Sequence, residues 1–278
     1  MHLNFAFTAV QILWTLTFAV HLILLVVLLG RDRARTFRWF TISIALSALR
    51  LVSSRILFGR LPQITMGAIF ITLAVISALI SLLVVVEVAR RSFAGAQRRT
   101  VSLWTLLLVV VGGVVLATWG PWPAWKTVGV DNPLATLSLM QLVAQKLALL
   151  VDVLSVELGL LVVLFGRRYG TGWRKHAYQI ALGLSTASLC QIAVQVIWQI
   201  IAKTAVPHSM ADYERILGLR DKLLNANNAL YLAVFVWWII WLWLDEPGTA
   251  AQQPAEALPA GQPAEAAALT ESEKPQGE

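Results

Sequence analysis

An arginine stands in the middle of an otherwise apolar stretch of this sequence, with small hydroxyl residues on the same side. Arg50 lies in the run 39–58, which is long enough to cross a membrane. Ser43, Ser47 and Ser54 share its face of a helix, at spacings of four, three and four. A charge at the centre of a spanning helix costs about 2.5 to 3.5 kcal/mol even on insertion scales. We therefore expect this face to point inward, toward an anion, a ligand or water.

A second polar stripe supplies a candidate partner for that arginine. Within the apolar run 136–165, one helix face carries Gln141, Gln145, Asp152 and Ser155. At a rise of about 1.5 Å per residue, Asp152 and Arg50 lie at similar depths in a membrane. The sequence thus predicts an inward-facing ion pair between Arg50 and Asp152.

Three further ionisable residues lie within the apolar runs. Lys146 and Glu157 occupy the opposite side of the run that carries Asp152, and Glu157 matches the depth of His21 in the first run. The pattern predicts His21 and Glu157 as a secondary pair. Buried groups of this kind can act as general acids and bases. No nucleophile or metal-ligand constellation accompanies them, so we favour fixed salt bridges and predict that the protein is not an enzyme.

The other polar residues of the apolar runs concentrate toward one end of each run. They are Gln11 and Thr15 in the first run, Gln191 and Gln195 in the sixth, and Asn228 and Tyr231 in the seventh. If these faces converge, they line an outward-facing cavity floored by the Arg50 region. The alternative is that the amides hydrogen-bond between helices, at about 0.6 to 2 kcal/mol each. Both interpretations stay open at the level of sequence.

The composition identifies a membrane protein. Of 278 residues, 58% are hydrophobic and only 13% charged, whereas soluble domains have about 25% charged residues. The predicted fold is all-α, a seven-helix transmembrane bundle within residues 1–246. Its spans are predicted at about 5–29, 39–58, 64–89, 101–119, 136–165, 177–202 and 228–244.

Basic residues predict how this bundle is oriented. Arginine clusters follow the first, third and fifth runs, and the intervening connections carry fewer. By the positive-inside rule the amino terminus is outside and the carboxyl terminus cytoplasmic. The start lacks both a basic region and a small-residue cleavage pattern, so we expect a permanent helix there rather than a cleaved signal peptide. The predicted location is a cell membrane, plasma or bacterial inner, crossed several times.

Two segments outside the spans have distinct patterns. SMADYERILGLRDKLL has apolar residues at helical spacing behind a capping serine, which predicts an extracytoplasmic amphipathic helix at about 210–224. Residues 247–278 are rich in Pro, Ala, Gln and Glu and contain no aromatic residue. Such a composition cannot bury enough apolar surface to fold, so the tail is predicted to be disordered.

The sequence lacks the residues that retinal, haem and zinc sites require. The last run has no lysine in its middle for a retinal Schiff base, and His21 is the only histidine well inside a run, so paired haem ligands are lacking. Cys190 is the single cysteine, and no Cys and His cluster has zinc spacing. Topology accounts for the arginines, so nucleic-acid binding is not expected. We predict no cofactor and no metal.

The leading functional hypothesis is a receptor-like or sensory protein that binds a small molecule from outside. It would signal through a protein partner at the cytoplasmic loops or tail. A transporter or ion-coupled carrier that uses the intramembrane charges is the second hypothesis, and a non-catalytic subunit of a membrane complex is the third. A continuous polar path to the cytoplasm favours transport, a blind outer pocket favours sensing, and a broad apolar outer surface without either favours a subunit.

Overall fold

The computed structural model describes residues 9–57, 60–94, 109–119, 133–169, 172–205 and 209–246. Those ranges contain helices and turns and no strand. The chain separates into two compact units, Met1–Leu244 and Asp245–Glu278. Of the second unit only Asp245 and Glu246 are described, so the predicted disorder of 247–278 lies outside the described residues.

Six of the helices are long and apolar enough to cross a membrane. The protein is thus all-helical over its described ranges, as predicted, and compatible with a multi-pass membrane protein. The helices are α1 Ala9–Gly30, α2 Arg33–Thr36, α3 Arg38–Leu57, α4 Gln63–Ser92, α5 Val109–Thr118, α6 Pro133–Phe165, α7 His176–Thr204 and α8 Met210–Trp243. The six long ones are α1, α3, α4, α6, α7 and α8, while α5 is described over Val109–Thr118 only.

The six long helices form a closed ring. Neighbours around the ring follow the order α1, α3, α4, α6, α7, α8 and back to α1, with α4 also touching α7 across the middle. Lipid is as apolar as leucine, so close packing and hydrogen bonds, rather than hydrophobic burial alone, hold such helices together. The apolar centre of the ring includes Leu24, Leu28, Phe40, Val88, Leu158, Ile180 and Phe235.

Glu87 ties the start of α3 to α4. Its Oε2 accepts hydrogen bonds from the backbone N–H groups of Trp39 and Phe40, at 3.0 and 3.1 Å. These groups belong to the first turn of α3, where no intrahelical acceptor exists. A carboxylate there also complements the positive end of the helix dipole. The end of α4 therefore lies beside the start of α3, at the end of the bundle that carries Arg31, Arg33, Arg35 and Arg38, which we call the arginine-rich end.

The start of α7 and the end of α8 lie at this same end. His176 Nε2 donates to the carbonyl of Leu244 over 2.9 Å, and Arg31, just after α1, stacks on the Trp243 ring with 4.7 Å to its centroid. Because α6 runs into the 3-10 turn Gly166–Tyr169 shortly before α7 begins, α6 also ends there. Hence α4 and α6 point in the same direction.

Helix α5 packs against α6 in the opposite sense. A Cβ added at Gly112 would lie 3.1 Å from side-chain atoms of Leu150 and Leu154. Four residues later in α5, the carbonyl of Leu116 accepts from Lys146 Nζ over 3.3 Å. As residue numbers rise along α5 they fall along α6, so the two helices are antiparallel.

Two glycines allow α7 to approach its neighbours closely. A Cβ at Gly159 of α6 would clash with the side chain of Ser185, and one at Gly183 would clash with the indole of Trp238. That indole Nε1 donates to the backbone carbonyl of Gln179 over 3.2 Å. These glycines therefore set the α6–α7 and α7–α8 distances.

The amphipathic segment and the last span form one element. The sequence predicts two helices, over 210–224 and 228–244, but α8 runs without a break from Met210 to Trp243. Its predicted cap is confirmed, since the Ser209 side chain accepts from the N–H of Asp212 over 3.1 Å. At about 1.5 Å per residue, 34 residues span about 51 Å, well beyond a hydrocarbon core of about 30 Å.

Candidate functional site

Three adjoining cavities meet at Arg50 in the middle of the helix ring. The inner cavity, of about 300 Å³, lies among α3, α4, α6, α7 and α8. The α6-side cavity, of about 690 Å³, lies among α3, α4, α6 and α7. The α1-side cavity, of about 520 Å³, lies among α1, α3, α4 and α8. Arg50 lines all three, so the sequence-predicted arginine is the common element of the site.

The inner cavity has a polar lining, although the helices around it are apolar enough to cross a membrane. Its hydroxyl, amide and charged residues are Ser43, Ser47, Arg50, Ser77, Ser81, Asp152, Ser155, Ser188, Gln191, Asn227 and Tyr231. Ser77 and Ser81 of α4 are not among the residues that the sequence analysis singles out. Their spacing of four, which places both hydroxyls on one helix face, was the available signal.

Apolar side chains close the inner cavity toward the arginine-rich end. Phe40, Val84, Val85 and Trp238 line this floor, and none is more than 4% exposed. These four side chains belong to the apolar centre of the ring, which also includes Leu28. At the other end the polar residues Gln141 and Gln145 of the α6-side cavity and Asn228 of the α1-side cavity are exposed. The inner cavity is therefore closed toward the arginine-rich end, while the two adjoining cavities reach exposed polar residues toward the other end.

Arg50 and Asp152 share two cavities without forming the predicted ion pair. Both line the inner and α6-side cavities. Over the described ranges, however, no carboxylate oxygen lies within 4.0 Å of a guanidinium nitrogen of Arg50. Arg50 instead interacts electrostatically with Tyr231, and the neighbour of the Asp152 carboxylate is the Ser188 hydroxyl. Equal depth was insufficient because α4 stands between α3 and α6 in the ring.

The predicted secondary pair of His21 and Glu157 is not formed either. His21 is 2% exposed, its Nδ1 donates to the Thr17 carbonyl over 2.6 Å, and its ring lies 4.3 Å from that of Phe235. Helix α1 packs on α3 and α8, whereas α6 packs on α4 and α7. Both carboxylate oxygens of Glu157 are buried without a hydrogen bond to any described residue.

Lys146 lies outside the three cavities and contacts the end of α5. Its Nζ donates to the carbonyls of Leu116 and Trp119. The last carbonyls of a helix lack intrahelical partners and carry partial negative charge, which a cation neutralises. The candidate cavity role of Lys146 is replaced by a capping role that depends on α5 lying beside α6.

On α1, the face that borders a cavity differs from the predicted one. Thr17 and His21 line the α1-side cavity. Gln11 and Thr15 are exposed and lie outside the three cavities, and the Thr15 hydroxyl donates to the Gln11 carbonyl over 2.9 Å. Since 100° separates successive residues, Thr15 and Thr17 cannot share a face.

The sequence left two roles open for the amide side chains, lining a cavity or hydrogen-bonding between helices. The structure contains examples of both. Gln141 and Gln145 line the α6-side cavity. Gln191 also lines it, but its Oε1 accepts from Asn227 Nδ2 over 2.8 Å, which joins α7 to α8. Gln195, one turn farther along α7, lies outside the three cavities.

The remaining predicted residues border the α1-side cavity. Ser47, Ser54, Asn228 and Tyr231 all line it, although the Ser54 hydroxyl donates to the Leu51 carbonyl of its own helix over 2.7 Å. The site thus combines one cation, one anion and many groups that donate and accept hydrogen bonds.

No protein-family model, curated protein or solved structure matches this chain.

Proposed function

We propose that this protein is a receptor-like or sensory membrane protein that binds a small polar ligand in the cavities around Arg50. The observation that carries the proposal is the contrast between a polar inner cavity and its closed apolar floor. Groups such as Arg50, Asp152 and the serine hydroxyls are costly in a membrane and useful to a ligand. A site open on one side only can bind without passing its ligand through.

Orientation and helix count complete the proposal. Helices α4 and α6 both end at the arginine-rich end, which favours a crossing in the opposite direction between them. The antiparallel packing of α5 on α6 supports a seventh span that includes α5. With the arginine-rich end cytoplasmic, as the positive-inside rule requires, the cavities open to the outside. A protein partner bound at the cytoplasmic loops or tail would respond when the ligand binds.

A carrier is the second candidate function. The charged residues Arg50 and Asp152 in one cavity favour it, because intramembrane charges often mark substrate paths. It would require the floor of Phe40, Val85 and Trp238 to open. A role as a non-catalytic subunit would leave the polar lining without a purpose.

A ligand-screened thermal-shift experiment on the purified full chain tests binding. A panel of small sugars, carboxylates, amines and amino acids is added to the wild type and to Arg50→Gln. A ligand at 100 times its Kd stabilises the folded state by about 2.7 kcal/mol, enough to raise Tm by several degrees. We expect one compound class to do so for the wild type and much less for Arg50→Gln.

Arg55→Gln is the matched control, because Arg55 is an exposed arginine of the same helix outside the three cavities. It should respond like the wild type. A wild type that responds to no compound would contradict the receptor proposal. Uptake of the stabilising compound into proteoliposomes would show that the protein is a carrier and not a receptor.

A further inference from the structure

We infer that the ligand is a small zwitterion, with its anionic group at Arg50 and its cationic group at Asp152. This inference rests on the proposed function, since it names the chemistry of the ligand that the same cavities receive. It starts from the observation that the two opposite charges line one cavity without being in contact.

The charges of the lining are balanced but separated. In the inner cavity, Arg50 is the cationic residue and Asp152 the anionic one. They lie on α3 and α6, which α4 separates. A ligand with a single charge would neutralise one of them and leave the other without a counter-charge. A ligand that carries both charges neutralises both and adds no net charge to the bundle.

Hydrogen-bonding groups accompany each charge. Ser43 and Ser47 lie on the same helix face as Arg50 and can donate to an anionic group. Ser188 lies beside Asp152, and Ser155, one turn along α6 from Asp152, also lines the cavity. The Ser155 hydroxyl donates to the Val151 carbonyl over 2.7 Å, which leaves its oxygen as an acceptor for an ammonium group.

The size of the cavity restricts the ligand to small molecules. The inner and α6-side cavities, both lined by Arg50 and Asp152, measure about 300 and 690 Å³, within the range of small-molecule sites, about 300 to 1,000 Å³. The ligand class is therefore a compact amino-acid-like molecule, with its two charges far enough apart to bridge groups that are themselves beyond 4.0 Å.

Compounds with matched skeletons test the charge requirement. Binding of 4-aminobutanoate, butanoate and butylamine to the purified full chain is measured by titration calorimetry. Glycine, alanine, β-alanine and 5-aminopentanoate vary the separation of the charges. A charged hydrogen-bonding contact is worth enough to change Kd by about 10- to 100-fold. The best zwitterion should therefore bind at least tenfold more tightly than its matched anion and its matched amine.

Variants assign each charge to one residue. Asp152→Asn should remove the preference for the zwitterion over the matched anion, and Arg50→Gln should remove its preference over the matched amine. Arg55→Gln and Asp221→Asn, at exposed positions away from the cavities, should retain both preferences. Arg50→Lys and Asp152→Glu, which keep the charges, should retain part of each and serve where a neutral variant fails to fold.

Three outcomes overturn the inference. If the matched anion or amine binds the wild type as tightly as the zwitterion, the ligand needs one charge only. If no zwitterion binds but another compound of the thermal-shift panel does, the inference that the ligand is a zwitterion is wrong and the receptor proposal stands. If no compound of either set binds, both fail.

Discussion

Arg50 is accommodated in the middle of α3 because it faces polar space rather than a buried carboxylate. It is exposed where the three cavities meet, next to the Tyr231 phenol and the α3 hydroxyls. The sequence predicted that Arg50 faces inward on a serine stripe, because both features depend only on helical periodicity. Its partner could not be predicted, because depth counted along two helices does not say which helix lies between them.

Without ligand, Arg50 and Asp152 should contribute nearly independently to stability. Breaking one member of a buried ion pair costs about 3 to 5 kcal/mol, whereas residues out of contact couple far less. In the cycle of Arg50→Leu, Asp152→Leu and the double variant, we expect a coupling energy below about 1 kcal/mol. Reversible unfolding in mixed detergent measures it. A coupling of several kcal/mol would mean that the two side chains meet in solution.

Glu87 caps α3 from a neighbouring helix. Replacing a capping acceptor by alanine usually costs about 0.5 to 2 kcal/mol, and Glu87 serves two donors. Glu87→Ala should therefore destabilise the bundle by about 1 to 2 kcal/mol, and Glu87→Gln, which retains an acceptor, by less. The same unfolding assay measures both. Glu214→Ala, at an exposed glutamate of α8, is the control and should have little effect.

At the scale of elements, helix existence followed from the sequence but helix neighbours did not. Apolar runs of sufficient length predicted the six long helices. Helix α8 crosses the segment that was expected to break it, because LNANNAL contains no glycine or proline to stop a helix. The capping roles of Glu87 and Lys146 depend on contacts across 27 to 48 residues of chain, which periodicity cannot reveal.

Gly159 sets the distance between α6 and α7. In Gly159→Ala the new Cβ meets the Ser185 side chain, and overpacking of this kind costs about 1 to 3 kcal/mol. The double variant Gly159→Ala and Ser185→Gly removes the clash and should recover part of the stability. Gly113→Ala is the matched control, since no atom outside its own helix lies within 4 Å of its added Cβ. A Gly159→Ala variant as stable as the wild type would show that the crossing is loose.

For the whole molecule, composition and run length were enough to predict an all-helical protein with several helices long and apolar enough to cross a membrane. Hydropathy identifies each spanning helix from its own residues. The number of membrane crossings and the side on which each later connection lies cannot be obtained from one helix alone. Both depend on whether the segment containing α5 crosses the membrane. Every span moves the next connection to the other side of the membrane. The side on which a later connection lies therefore shows whether the segment containing α5 crosses.

Labelling of single cysteines in a Cys190→Ala background shows on which side of the membrane each connection lies. The sites are Arg33→Cys after α1, Gly172→Cys before α7, and Ala211→Cys at the start of α8. With seven spans and an outside amino terminus, an impermeant thiol reagent applied to intact cells should label Ala211→Cys alone. Permeabilised cells are the control, in which all three should react.

Each alternative topology gives a different pattern. If the chain between α4 and α6 does not cross, Gly172→Cys moves to the side opposite Arg33→Cys, and Ala211→Cys moves to the same side as Arg33→Cys. Labelling of Gly172→Cys alone would then remove the seventh span. Labelling of Arg33→Cys and Gly172→Cys without Ala211→Cys would instead keep seven spans and reverse the bundle. The cavities would in that case open to the cytoplasm, because their exposed glutamines lie at the end opposite the arginines, and the ligand would be an intracellular one.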